Sequence, residues 1–111
     1  MTEDQIIALC DALPGAMRSQ PFGPEVEVWK IGGKIFALMA RGGARISVKC
    51  ADPGFAELLI ETGAATRAPY LPRGGWIAID TTDRDTLTHR LRESYDTVRA
   101  RLPKRLRDTL G

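Results

Sequence analysis

The stretch EVEVWKIGGKIFALMARGGARISVK, Glu25 to Lys49, decides how this chain folds. Two glycine pairs cut it into three apolar runs. Ile31-Gly32-Gly33-Lys34 sets two residues free to take positive φ between a Val/Trp/Ile run and an Ile/Phe/Leu/Met run, which predicts a tight β-hairpin. Arg41-Gly42-Gly43-Ala44-Arg45 predicts a second hairpin one strand later. The strands are expected at Glu25–Ile31, Lys34–Arg41 and Arg45–Lys49. The middle one is apolar at nearly every position, as a central strand covered on both faces should be. The third alternates, with Ile46 and Val48 inward and Arg45, Ser47 and Lys49 outward.

A meander of this kind needs helices on its apolar face, and the flanking sequence provides them. Thr2-Glu3-Asp4-Gln5 reads as a capping box, followed by Ile6, Leu9, Cys10 and Leu13 at helical spacing and a stop at Pro14-Gly15. Arg18 to Pro24, with two prolines and a glycine, reads as a loop, and Phe22 is expected to anchor it in the core. After the meander, Asp52-Pro53 opens a second helix whose buried stripe is expected to be Phe55, Leu58 and Leu59, closed by Gly63. Ala64–Gly75 reads as a long irregular segment, and a fourth strand follows at Trp76–Asp80 with Ile77 and Ile79 inward. Asp83 caps a long helix carrying Leu87, Leu91, Tyr95, Val98 and Leu102 on one side, and Leu102-Pro103-Lys104 breaks it before a short final turn. The expectation is a single α+β domain over residues 1–111, an antiparallel sheet of about four strands flanked by helices in the order α-β-β-β-α-β-α.

A chain of 111 residues, 43% hydrophobic and 27% charged, suits one ordinary globular core. No run approaches the length of a membrane span, and acids at Glu3 and Asp4 stand where an export signal would carry positive charge, so the expected setting is the cytoplasm, with no membrane partner. Cys10 and Cys50 are expected to be reduced and buried. The net charge of +2 hides an asymmetry: from Arg84 to Arg107 there are eight basic residues against three acids, with Asp83 just outside. Arg101 and Arg105, four apart, cannot pair with each other and slightly favour an external anion.

No reaction is identifiable from the residues. Two scattered cysteines and the lone His89 lack zinc-ligand spacing, Asp83 and Asp85 are explained by a helix cap, and His89 lies off the buried stripe without a partner. The glycine pairs form no phosphate-cradling motif. The expectation is therefore no catalytic residue, no metal and no cofactor.

Leu13-Pro14-Gly15-Ala16, Pro21-Phe22-Gly23-Pro24 and Val28-Trp29-Lys30-Ile31-Gly32-Gly33-Lys34-Ile35-Phe36-Ala37 together resemble the MmcQ/YjbR family. Val48-Lys49-Cys50 with Asp52-Pro53, Gly75-Trp76-Ile77, and Ser94-Tyr95 with Leu102-Pro103-Lys104-Arg105 extend the resemblance in the same order. The resemblance implies a YjbR-like α+β fold, similar in outline to secretion-chaperone-like folds, and a "double-wing" DNA-binding role. Where many members carry His and Asn around the tryptophan, this chain has Arg73-Gly74-Gly75-Trp76-Ile77, so no role of those side chains carries over.

Two readings follow. In the first, the chain is a monomeric, non-catalytic DNA-binding module that touches the phosphate backbone weakly and salt-dependently through Lys34, Arg41, Arg45, Lys49, Arg67 and Arg73. In the second, it is a protein-binding adaptor or chaperone-like module that uses a sheet edge or an aromatic surface of Phe22, Tyr70 and Trp76.

Overall fold

The computed structural model describes residues 1–71 and 73–110. Helix α1 (Glu3–Asp11) begins on the capping box: Gln5 N–H donates to the Thr2 hydroxyl at 3.1 Å and Thr2 N–H to the Gln5 side chain at 3.0 Å. Three strands then form the meander, β2 (Val26–Ile31), β3 (Lys34–Ala40) and β4 (Arg45–Lys49), preceded by a short β1 (Met17–Ser19). Helix α2 (Pro53–Glu61) starts on the Asp52 cap, and β5 (Thr66–Arg67) and β6 (Trp76–Asp80) follow. Helix α3 (Arg84–Ala100) starts on the Asp83 cap, and α4 (Lys104–Thr109) ends the chain.

The sheet has six strands in the order β1-β2-β3-β4-β6-β5, each paired antiparallel to its neighbour, two more strands than the sequence predicts. The additional strands are the two edges, three and two residues long. Segments that short have no periodicity of their own, and their pairing to β2 and β6 is imposed by the sheet. β1 lies in the region expected to be loop, and β5 in the segment expected to be irregular. Pro72, in that same segment, lies outside the described residues.

The turn chemistry differs between the two hairpins. Gly32 and Gly33 have φ of 56° and 81°, the positive pair that a two-residue I′ turn requires. In the second turn the positive angles fall on Gly42 (78°) and Ala44 (57°), with Gly43 N–H bonded to Ala40 O at 3.1 Å. Successive turns of a meander lie at opposite ends of the sheet. The seven-residue β3 therefore separates Lys34 from Arg41 by roughly 20 Å.

As expected of a central strand, β3 is covered on both faces. Phe36, Ala37 and Met39 join the main core with Trp29, Ile31, Ile46, Val48, Ile77, Leu87, Leu91 and Tyr95, while Leu38 packs on the opposite face with Val26, Val28, Ile35 and Leu71. Three side-chain expectations are corrected. Phe22 is 47% exposed, held by a stack on Tyr70 (ring centroids 5.3 Å apart) rather than anchored in the core. On α2 the buried residue is Ala56, whereas Leu58 is 51% exposed and Phe55 lies under the Arg90 guanidinium at 4.9 Å. Ser47 does point away from the main core but is buried, opposite Leu38 in the sheet register. Both cysteines are free and buried.

Candidate nucleic-acid interface

Between β2 and β3 the register shifts: Trp29 pairs with Ala37 and Lys30 with Ile35, so Phe36 is an extra residue in β3. This β-bulge lets two consecutive residues, Phe36 and Ala37, face the main core. It also ends the pairing to β4. Only Ala37↔Val48 and Leu38↔Ser47 are matched there, and the next pair in that register, Phe36 and Lys49, does not bond. Ser94 of α3 takes both groups instead. Its hydroxyl donates to Phe36 O at 2.6 Å and accepts from Lys49 N–H at 2.8 Å, from a fully buried position. The serine thus satisfies two groups that would otherwise be orphaned where the strands part.

A cleft of about 490 Å³ opens at this divergence. Lys30, Lys34, Lys49 and Arg101 stand around it, and Ile35, Leu71, Trp76 and Val98 contribute apolar surface. No carboxylate lines it, and none of the four cations makes an ion pair among the described residues. Lys49 Nζ lies 5.7 Å from the Trp76 ring centroid. Partial burial and then the Arg101 charge hold its ammonium below the ordinary lysine range, the mark of a cation short of counter-charge. Arg101 is steadied by a hydrogen bond to Ala51 O at 3.3 Å.

Of the residues predicted from sequence, the structure brings Lys34, Lys49 and Trp76 together here. Arg73 lines an adjoining hollow of about 260 Å³, which Trp76 also lines. Arg67 lines that hollow too, but its guanidinium bonds both Glu57 carboxylate oxygens, at 3.1 and 3.2 Å. Arg41 and Arg45 lie at the far end of the sheet. Arg41 is bound to the buried Glu27 at 3.1 Å and lies 3.9 Å from both Glu3 and Asp4. Arg45 pairs in register with Asp80. Phe22 and Tyr70 stack on each other, so the predicted aromatic trio divides, with Trp76 in the cleft.

Glu27 explains why Arg41 is committed. Burial by itself would raise this carboxyl, but hydrogen bonds from Gln20 and Arg41 and the charges of Arg18 and Arg41 outweigh it and hold the group below the ordinary carboxylate range. Lys30, Arg101 and Ser94 are absent from the predicted set. Lys30 is hidden in an apolar run, and Arg101, marked in the sequence only by its spacing from Arg105 as open to an external anion, has nothing in the sequence to tie it to Lys34 and Lys49. Only the bulge makes sense of Ser94. Among the described residues, no group of three or more His, Cys, Asp or Glu side chains is placed to hold a metal, and no helix is long and apolar enough to cross a membrane.

Comparison with known proteins agrees with this architecture. The crystal structure of Deinococcus radiodurans protein DR2400, described as a DUF419 domain, superposes with a TM-score of 0.84 at 28% identity, covering 99% of this chain and 88% of that one. A search of curated proteins gave no match. The YjbR family model matches residues 11–97, a span that includes the bulge, Ser94 and three of the four cleft cations; the chain belongs to the YjbR family.

Proposed function

We propose that this chain binds nucleic acid through phosphate contacts in the cleft, with Lys30, Lys34, Lys49 and Arg101 as the contacting cations. The observation that carries the reading is the convergence of four cations, without a lining carboxylate, on one open concavity. Unpaired cations held this way repel one another, and a polyanion relieves the repulsion while releasing its own counterions. Arg41 at the far hairpin and Arg67 on β5 contribute less, because each already has a carboxylate partner. Four phosphate contacts correspond to weak binding, in the range of about 10⁻⁴–10⁻⁶ M typical of non-specific association. Fluorescence anisotropy with a labelled oligonucleotide at 20 and 200 mM salt tests it. Binding at low salt that fades at high salt supports the reading, and no binding at 20 mM salt removes it.

A second reading has its own observation. Phe22 and Tyr70 form a stack that is about half exposed, next to Leu71 in sequence, and this is a surface suited to a protein contact. A pull-down whose partners survive nuclease treatment and disappear with Phe22→Ser would favour it.

A further inference from the structure

The shape of the cleft separates two kinds of nucleic acid, and the inference drawn from it rests on the nucleic-acid reading above. An intact duplex keeps its bases stacked inside and is read by elements that protrude into its grooves, such as a helix or a two-stranded ribbon. Here the cations surround a recess. Its surface is Trp76, Leu71, Ile35 and Val98, apolar area that a sugar-phosphate rail leaves uncovered. An unstacked base matches that surface, since every base offers a π-face to an aromatic side chain. The volume of about 490 Å³ falls within the range of small-ligand pockets, large enough for a base and its sugar. The Gly32-Gly33 turn keeps one wall of the recess free of side-chain bulk at Gly33, where an added Cβ would meet nothing within 4 Å.

We infer that the cleft takes single-stranded nucleic acid, one unstacked base lying against Trp76 while flanking phosphates rest on Lys30, Lys34, Lys49 and Arg101. Trp76 then supplies the preference for a single strand, and the cations supply sequence-independent affinity.

The test compares a labelled dT12 single strand with a 12-base-pair duplex, using sodium polyphosphate as a competitor and reading both anisotropy and tryptophan emission at 50 mM salt. The single strand should bind at least ten-fold more tightly than the duplex, quench the emission of the wild type, and leave that of Trp76→Phe unchanged because only the buried Trp29 remains. Trp76→Ala should weaken the single strand about ten-fold and the duplex little, whereas Trp76→Phe, which keeps a stacking face and guards against a folding defect, should retain most of the binding. Duplex binding equal to or tighter than single-strand binding would overturn the inference while leaving the broader reading intact. So would undiminished binding by Trp76→Ala, or polyphosphate competing as well as dT12. Failure of both oligonucleotides to bind would remove the nucleic-acid reading itself.

Discussion

Ser94 accepts the Lys49 backbone N–H at 2.8 Å, and with its own proton it closes the gap to β3 at Phe36 O. One small side chain therefore holds the two strands at a fixed separation, and the cleft exists because they are separated. Ser94→Ala should leave a buried donor and a buried acceptor unpaired, costing about 2–4 kcal/mol in urea unfolding. A loss below about 0.5 kcal/mol would mean that the strands close on each other when the hydroxyl is gone.

The first hairpin turn is a second place where backbone decides. Gly33 sits at φ 81° with open space around it, so an added methyl meets strain but no clash. Gly33→Ala should cost about 1–2 kcal/mol and Gly33→Asn distinctly less, as shifts of the urea midpoint. Equal effects would show that the turn does not require the left-handed conformation.

Glu27 supplies the pH dependence. Its folded carboxyl titrates below its ordinary value of 4.5, so the stabilisation it gives is complete above that value and is lost as pH falls toward the lowered folded one. Glu27→Gln should lose about 1–3 kcal/mol at pH 7, with the difference from wild type shrinking below pH 4.5. A constant difference from pH 7 to pH 3 would contradict this assignment.

The thiols should be silent in the folded protein. Burial, then the charge of Asp11, pushes Cys10 up to about 12, and burial foremost raises Cys50 as well. An aromatic disulfide reagent at pH 8 should therefore modify neither in the native state and both in urea. Rapid native labelling of either would show that the core opens there.

Where local chemistry dominates, the sequence is readable. The Thr2 capping box, the Asp52 and Asp83 caps, the Gly32-Gly33 turn and the α3 stripe each depend on residues a few positions apart, and all are found as expected. Phe22, Phe55 and Leu58 lie outside the core their hydrophobicity suggests, because hydrophobicity alone does not show whether a side chain has a partner. Two of them are held at the surface, by Tyr70 and by Arg90. The cleft was illegible for a deeper reason. It follows from a register shift at Phe36, and nothing in an unbroken apolar run marks where the extra residue falls. The separation of the two glycine turns is, by contrast, already contained in the predicted meander, whose successive turns fall at opposite ends of the sheet and cannot present their basic residues together.

We place the affinity of this chain in the cleft and not at the far hairpin. The salt dependence of dT12 binding in wild type, in Lys34→Glu/Lys49→Glu, and in Arg45→Glu, which carries a charge change at the far end, separates the two sites. Four contacts on a single strand give a slope of log K against log salt of about −3. Wild type should show that slope, the cleft double variant near-complete loss of binding, and Arg45→Glu a nearly unchanged slope. Equal losses in the two variants, or full binding by the double variant, would contradict that placement.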